Sequence, residues 1–176
     1  MDITRKQKII SVIVVVFVVT VLLRLFVFEG FIVKGDSMEP AIHSGDFVFI
    51  NRLAYLGSEP KRGDVIVAVP RNMNIKVLKR VVGMPGERLS IESGKIVLRT
   101  NRTDTGQELQ EIYLNTPNTP AVGITLITLD PKEYFALGDN REVSVDSREL
   151  GPIDYWEIKG KVIGILSLSA LKYKGL

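Results

Sequence analysis

Residues Ile9–Phe28 read IISVIVVVFVVTVLLRLFVF, about the length that an α-helix needs to cross a hydrocarbon core of roughly 30 Å. Arg24 is the only charged residue in this run, and it lies near one end, where its long side chain can reach the lipid headgroups. A lone segment in lipid must satisfy its own backbone hydrogen bonds, which selects helix over an unpaired strand despite the many valines. The sequence therefore predicts a transmembrane helix over residues 9–28.

A cleaved export signal is the alternative to an anchor, because the basic residues Arg5, Lys6 and Lys8 before the apolar run suit both. The run is longer than the apolar part of a usual export signal, and Glu29–Val33 offers no small-x-small cleavage site. We therefore expect an uncleaved anchor in a cell membrane. The basic cluster predicts that residues 1–8 are cytoplasmic and that residues 29–176 lie outside the cytoplasm.

Beyond the anchor, short Val- and Ile-rich runs alternate with Gly, Pro, Asn and Asp, a pattern typical of β-structure. We predict a mainly β fold, an antiparallel sheet domain over residues 29–176 that follows one N-terminal transmembrane helix. Ser93-Gly94 is a credible two-residue hairpin turn between Leu89–Glu92 and Lys95–Leu98. The polar stretch 100–120 reads as a long excursion from the sheet. Further strand candidates are Phe47–Ile50, Val65–Val69, Lys76–Val82, Tyr134–Leu137 and Lys161–Leu166.

The composition limits the chemistry that the chain can perform. The formal net charge is only +3, and the basic residues are spread along the chain, so nucleic acid is not an expected partner. The chain has no cysteine and a single histidine, His43, which removes thiol nucleophiles and leaves only carboxylates as further metal ligands. We expect no metal and no cofactor, a monomer, and chemistry that rests on hydroxyl, amine and carboxylate groups.

The first candidate for that chemistry is Ser37, in the turn Gly35-Asp36-Ser37-Met38-Glu39-Pro40 shortly after the apolar run. A serine in such a turn usually forms local turn hydrogen bonds. The turn is not a G-x-S-x-G elbow, because position 39 is Glu. Taken alone, this segment leaves both a structural and a nucleophilic role open.

The second candidate is Lys79, in the strand candidate that contains Val77-Leu78-Lys79-Arg80-Val81-Val82. Side chains alternate along a strand, so Lys79 shares a face with Val77 and Val81 while Arg80 lies on the other, and one of the two charges must sit on an apolar face. Both could lie on an edge strand, where lysine discourages aggregation. Alternatively, Lys79 is desolvated, and its pKa falls from about 10.4 toward a range in which the neutral amine accepts a proton. Arginine could not do this, because it stays protonated.

The third candidate is the loop Gly138–Arg148, GDNREVSVDSR, which follows the strand Tyr134–Leu137. Such a segment can be a turn with Asx hydrogen bonds and a surface ion pair. Its density of polar groups is high for that role alone.

Together and in this order after an N-terminal anchor, these blocks resemble the type I signal peptidases of bacteria, in particular the short forms of Gram-positive organisms, which use a serine–lysine dyad. The resemblance extends over almost the whole chain. Its specific matches are Ser37-Met38-x-Pro40, Arg62-Gly63-Asp64-Val65, Lys79-Arg80-Val81 with Gly83-x-Pro85-Gly86, and Gly138-Asp139-Asn140-Arg141-x-x-Ser144-x-Asp146-Ser147-Arg148.

The resemblance implies a role for each matching residue. Ser37 would be the nucleophile and Lys79 the general base. Ser144 would supply the hydroxyl that orients the lysine amine, and Asp146 with Arg148 would form a supporting ion pair. The implied substrates are exported preproteins with small residues at the third and first positions before the cut.

The anchor independently suggests substrates held in the same bilayer. Ser37 follows Phe28 by nine positions, so even an extended chain keeps the serine within roughly 30 Å of the membrane end of the helix.

Two positions depart from the family pattern. Signal peptidases of the Gram-negative kind have a serine at the position of Gly35, and its hydroxyl helps to form the oxyanion hole. That hydroxyl is absent here, which leaves the backbone N–H of Ser37 as the donor. Glu87 stands where the family usually has Asp, after the Pro85-Gly86 turn.

Other functions fit parts of the sequence. His43 could belong to a Ser-His-Asp triad, although closeness in sequence to Ser37 says nothing about geometry. A self-cleaving repressor also uses a Ser-Lys dyad on a β domain, but it would carry a DNA-binding module where this chain has its apolar run. A catalytically inactive relative that assembles pili or other surface proteins is the non-enzymatic alternative, which the presence of both Ser37 and Lys79 disfavours.

Overall fold

One long helix, α1, runs from Ile3 to Phe26. The computed structural model describes residues 3–71, 73–99, 105–115, 118–168 and 170–175. The stretch Thr4–Leu23 of α1 has a mean hydropathy of 2.2, and it is long and apolar enough to cross a membrane. No part of this stretch is buried against the described part of the chain.

The helix ends before the predicted boundary at Phe28, because the backbone is drawn into the sheet at Val27. The N–H of Val27 donates to the Leu23 carbonyl at 2.9 Å, and the Val27 carbonyl accepts the N–H of Arg52 at 2.8 Å. Phe28 then begins the first strand and pairs with Asn51.

Among the residues that the structure describes, twelve strands and two short helices follow α1. They are β1 (Phe28–Ile32), β2 (Phe47–Asn51), β3 (Val65–Ala68), β4 (Val77–Gly83), β5 (Arg88–Glu92), β6 (Lys95–Arg99), β7 (Gln107–Glu108), β8 (Leu126–Thr128), β9 (Glu133–Leu137), α2 (Ser147–Leu150), β10 (Ile153–Asp154), a 3₁₀ turn (Tyr155–Glu157), β11 (Ile158–Ser167) and β12 (Lys172–Gly175).

The strands form two antiparallel sheets. The larger has the order β1-β2-β11-β3-β4-β9-β10, with β12 paired to β11, and the smaller has the order β7-β6-β5-β8. The strands pair antiparallel throughout the described residues. This arrangement confirms the predicted fold class, a mainly β domain with one N-terminal apolar helix.

Strand β4 lies inside the larger sheet, between β3 and β9. Lys79 is opposite Ile66 of β3, and Arg80 is opposite both Val65 and Leu137. The edge-strand interpretation of Lys79 and Arg80 is therefore wrong, because both edges of β4 are hydrogen-bonded to neighbouring strands.

Three hydrophobic clusters of described residues fill the domain, and each of them includes a residue of β4. One lies between the strands and the turn that follows β1, and it contains Val33, Met38, Ile42, Val48, Ile50, Val65, Val67, Leu78, Val162 and Ile165. A second joins the two sheets through Val82, Leu89, Ile91, Ile96, Leu129, Phe135 and Leu137. The third contains Ile66, Ala68, Val81, Tyr134, Ala136 and Ile153. The neighbouring residues Val81 and Val82 pack into different clusters, and Leu78 packs into the remaining one, so β4 is anchored on both faces.

The predicted hairpin at Ser93-Gly94 is confirmed. Both turn residues have positive φ, 49° and 77°, as a two-residue turn that matches the strand twist requires. The predicted excursion over residues 100–120 is only partly away from the sheet, because β7 pairs with β6. Residues 100–104 and 116–117 of that prediction lie outside the described residues.

Candidate active site

Ser37 lies in the turn after β1, and buried side chains fix that turn. Met38 and Ile42 are 1% and 0% exposed, and the N–H of Ile42 donates to the Met38 carbonyl at 2.9 Å. Gly35 adopts a φ of +94°, which glycine tolerates far better than other residues do. The Ser37 carbonyl accepts the N–H of Asn140 at 3.1 Å. The turn is therefore held by the core on one side and by the loop after β9 on the other.

Lys79 extends from the middle of β4 to the Ser37 hydroxyl. Its Nζ lies 3.0 Å from Ser37 Oγ, and the residue is only 4% exposed. Burial removes the water that would solvate an ammonium group, and this desolvation lowers the pKa of Lys79 below its usual range. The negative charges of Asp146 and Asp139 oppose the shift, and the positive charge of Arg148 supports it. The amine is consequently neutral over a wider pH range than a lysine in water.

Ser144 lies close to Gly138 and to the backbone of Ser37. The residue is 4% exposed, and its Oγ has no hydrogen-bond partner among the described residues. A Cβ atom at Gly138 would collide with Ser144 Oγ and with the Ser37 carbonyl oxygen. Only glycine therefore lets these two residues approach the loop so closely. An unpaired buried hydroxyl costs about 1–3 kcal/mol, so Ser144 is poised to bind a group that approaches it.

Asp146 and Arg148 form a buried ion pair through both oxygens of the carboxylate. Asp146 Oδ1 accepts from Arg148 Nε at 2.9 Å and Oδ2 accepts from Arg148 Nη2 at 3.0 Å. Oδ2 also accepts the N–H of Gly138 at 3.0 Å, and Oδ1 accepts the N–H of Arg148, which caps α2. Among the described contacts, none is a hydrogen bond from the Lys79 amine to Asp146. The pair thus holds the loop in shape and occupies the carboxylate.

Gly35 brings no hydroxyl to the site, and its N–H donates to Ser44 Oγ at 3.2 Å. In the part of the chain that the structure describes, the backbone N–H of Ser37 has no hydrogen-bond partner. That N–H is free to donate to an oxygen that develops charge next to the serine.

Two cavities meet at Ser37 and Lys79. The first has a volume of about 390 Å³ and lies between the chain at 31–34 and the chain at 75–78. The second has a volume of about 550 Å³. Its apolar lining side chains are Met73, Ile75, Val77, Val143 and Val145. An extended peptide with small apolar side chains could pass the serine through these spaces.

His43 does not contact Ser37. Its imidazole is largely exposed, and Nδ1 lies 3.8 Å from Asp46 Oδ2. The backbone N–H of His43 donates to the same carboxylate at 3.0 Å. His43 therefore stabilises the turn before β2 through Asp46. The triad interpretation is wrong for this geometry.

Glu87, the departure from the family pattern, has a clear structural role. Its Oε2 accepts the N–H of Met84 at 2.8 Å, and its Oε1 forms an ion pair with Arg62. Glu87 therefore closes the turn after β4 and ties it to the segment before β3.

Sequence reasoning missed two further buried ion pairs next to these residues. Arg80 binds Asp139, and Arg141 binds Glu111. Three of the four residues stand in the quoted blocks, but Glu111 comes from the polar stretch 100–120. The charges in the three blocks indicate that arginines form ion pairs with carboxylates. They do not indicate which arginine pairs with which carboxylate.

Comparison with known proteins finds the same family along most of the chain. The profile of the family described as signal peptidase, peptidase S26, matches residues 6–167. Signal peptidase I of Bacillus licheniformis is 31% identical over 160 residues, which cover 86% of this chain and 83% of that protein. Signal peptidase IB of Staphylococcus aureus is 33% identical over 166 residues, 85% of this chain and 83% of its own. A crystal structure of a signal peptidase I from Enterococcus faecalis matches at 26% identity with a TM-score of 0.49, covering 59% of this chain and 97% of that one.

Lys79→Met should raise the melting temperature, because it removes the cost of burying an ionisable amine. The folded-state pKa of Lys79 is lowered, so the unfolded chain binds the proton more tightly. The cost is complete below the folded pKa and disappears as the pH rises toward the unfolded value of about 10.4. Thermal unfolding of the full chain in detergent, between about pH 6 and pH 10, measures the difference.

The matched control is Lys34→Met, which removes an exposed lysine and should leave the melting temperature nearly unchanged. A Lys79→Met protein that gains no stability, or whose gain grows toward high pH, would contradict the desolvated amine.

Proposed function

Because the chain belongs to the signal peptidase family, peptidase S26, we propose that it is a membrane-anchored endopeptidase that removes signal peptides from exported preproteins, with Ser37 as nucleophile and Lys79 as general base. Members of this family are hydrolases, and this chain is one of them. The observation that carries the proposed roles is the 3.0 Å distance between Ser37 Oγ and the Nζ of a buried lysine.

The proposed reaction is acyl transfer in two stages. Neutral Lys79 takes the proton of Ser37 while Oγ attacks the peptide carbonyl. The resulting ammonium then gives that proton to the departing amine, which leaves an ester on Ser37 and restores the neutral base. A water molecule next gives its proton to Lys79 and attacks the ester, and the proton returns to Ser37 as the cleaved signal peptide departs.

The charge that develops on the carbonyl oxygen needs a donor. The unpaired N–H of Ser37 supports that role, since preformed donors at a developing oxyanion are a major source of catalysis. Gly35 adds no hydroxyl, so the proposed oxyanion hole uses a backbone N–H and no side-chain donor from position 35.

Ser144 is proposed to hold the amine once Ser37 is acylated. At that stage Ser37 Oγ has become an ester oxygen and no longer donates a proton to the base. The buried, unpaired hydroxyl of Ser144 would then keep Lys79 oriented toward water without adding charge. Asp146 and Arg148 support this loop as a closed pair.

The proposed substrate is an extended peptide with small residues at the first and third positions before the cut. Strand β1 lies at the edge of the larger sheet, and the free edge of a strand can pair with an added strand. The cavity between 31–34 and 75–78 adjoins this edge and reaches Ser37 and Lys79. The preference for small side chains is carried over from the family resemblance.

The proposed location is a cell membrane, with α1 as a single span, the N-terminus in the cytoplasm and the β domain outside. The basic residues Arg5, Lys6 and Lys8 precede the apolar stretch, which favours this orientation. Since Ser37 follows Phe26 by eleven residues, it stays within roughly 40 Å of the helix end. A signal peptide in the same bilayer would reach it, and the protein would act as a monomer.

Ser37→Ala and Lys79→Ala should each lower preprotein cleavage by at least roughly 10³-fold, because each removes one half of the reacting pair. Cleavage of a purified preprotein by the full chain in detergent measures the effect. His43→Ala is the control and should keep activity within about twofold, since its imidazole faces Asp46. Full activity in Lys79→Ala, or loss of activity in a folded His43→Ala protein, would refute the proposed roles. An inactive wild-type chain would instead favour a non-enzymatic assembly function.

The orientation has a separate test. A protease added outside intact protoplasts should digest the β domain, as the charge asymmetry around α1 requires. A cytoplasmic protein that survives the same treatment shows that the protoplasts are intact. If the β domain is protected there and digested after lysis, the orientation is the reverse of the one proposed.

A further inference from the structure

Among the described residues, each buried arginine around Lys79 forms an ion pair with its own carboxylate, and Lys79 forms none. Among the described residues, the buried cationic side chains are Lys79, Arg80, Arg141 and Arg148. The pairs are Arg80 with Asp139, Arg141 with Glu111 and Arg148 with Asp146. The side-chain hydrogen bond that Lys79 makes with a described residue is to the uncharged Ser37. The charges nearest to the amine are therefore already paired with one another.

The pair of Arg80 and Asp139 uses both carboxylate oxygens. Arg80 Nε donates to Oδ1 at 2.8 Å and Nη2 donates to Oδ2 at 2.6 Å. The remaining Nη1 donates to the Gly63 carbonyl at 2.8 Å. The side chains of Arg80 and Asp139 are 8% and 0% exposed. A planar guanidinium can make this two-point contact, whereas a lysine cannot.

The polar stretch after β7 holds this pair in place. The Tyr113 ring lies over the Arg80 guanidinium, 4.3 Å from ring centre to Cζ. Tyr113 donates its hydroxyl to Glu111 at 2.6 Å, and Glu111 binds Arg141. Arg141 Nε in turn donates to the Gly138 carbonyl at 2.9 Å. The stretch thus connects Arg80 to the loop that borders Ser37 and Ser144.

Charged groups reach the surroundings of Lys79 from several packed elements. Arg80 is its neighbour on β4, and β3 contributes only apolar side chains. The charges from the loop after β9 and from α2 are Asp139, Asp146 and Arg148, and all three affect the amine. The two cavities that the amine borders are also lined by charged residues, namely Glu29, Lys34, Asp36, Glu39 and Lys76. Asp139 directly precedes Asn140, whose N–H donates to the Ser37 carbonyl at 3.1 Å, and it is one of two buried carboxylates whose negative charge favours the protonated amine even while they are paired.

We propose that Arg80 is a positioning residue which binds Asp139 at both oxygens and thereby weakens the stabilisation that this carboxylate gives to a protonated Lys79. The proposal rests on the proposed function, because a base that carries a proton cannot activate Ser37. Arg80 acts through Asp139 and touches no reacting atom.

The test is a charge-rescue series read out by NMR. The full chain in detergent micelles is labelled at the lysine Cε carbons, the Lys79 signal is assigned by its loss in Lys79→Ala, and its pKa is measured by titration. Arg80→Gln should raise this pKa by about one pH unit or more, because Asp139 becomes an unpaired anion nearby. Asp139→Asn should lower it, because Arg80 becomes an unpaired cation. The double variant should return close to the wild-type value.

A purely structural role would not give opposite shifts that cancel. Arg71→Gln is the matched control, because Arg71 is an exposed arginine that pairs with Asp154, and it should leave the Lys79 pKa unchanged. Shifts in the same direction for both single variants, or a double variant that is no closer to wild type than either, would overturn the proposal. If the Arg80→Gln protein does not fold, the Asp139→Asn protein alone tests the proposal. An unchanged Lys79 pKa in Asp139→Asn would then overturn the proposal.

The titration separates this proposal from the proposed function, because it needs no substrate. If the shifts follow the charge pattern while no preprotein is cleaved, the peptidase assignment of this chain fails and the electrostatic role of Arg80 stands. If cleavage occurs, the pH dependence of kcat/KM should shift in the same direction as the Lys79 pKa in each variant.

Discussion

The burial of one amine against one hydroxyl is the constraint on which the rest of the structure depends. A charged amine in an apolar interior costs several kcal/mol unless a partner compensates it, and the described contacts give Lys79 no carboxylate. The cost falls when the amine gives up its proton. The domain therefore favours the neutral base that the proposed reaction needs, and does so by desolvation rather than by a neighbouring cation alone.

The architecture maintains this arrangement from several directions. Strand β4 is hydrogen-bonded on both edges, which prevents Lys79 from turning out to solvent. The turn of Ser37 is fixed by buried Met38 and by its contact with Asn140. Because Gly138 has no side chain, Ser144 Oγ and the Ser37 carbonyl oxygen can both pack against its Cα. A methyl group at position 138 would displace these neighbours without changing any charge.

The parts of the fold and of the site that depend on local sequence patterns could be predicted from the sequence. The period-two alternation around Lys79 predicted that a charge would sit on an apolar face, and the Ser93-Gly94 turn predicted its hairpin. The predicted span 9–28 missed the end of α1, because the backbone of Val27 is drawn into the sheet by Arg52, a partner distant in sequence. The pairing of Arg80 with Asp139 and of Arg141 with Glu111 depended on chain segments that meet only in the folded domain. Periodicity carries no information about such pairings.

The state of the Lys79 amine is the central claim, and the pH dependence of cleavage tests it most directly. With a soluble peptide substrate, kcat/KM should rise with pH through an apparent pKa well below the value of about 10.4 for free lysine, since the proposed mechanism requires the neutral amine. Lys79→Arg should be inactive at every pH, because arginine stays protonated. A wild-type profile that still rises through about 10.4 would contradict the account, because the essential base would then be an ordinary, solvated lysine.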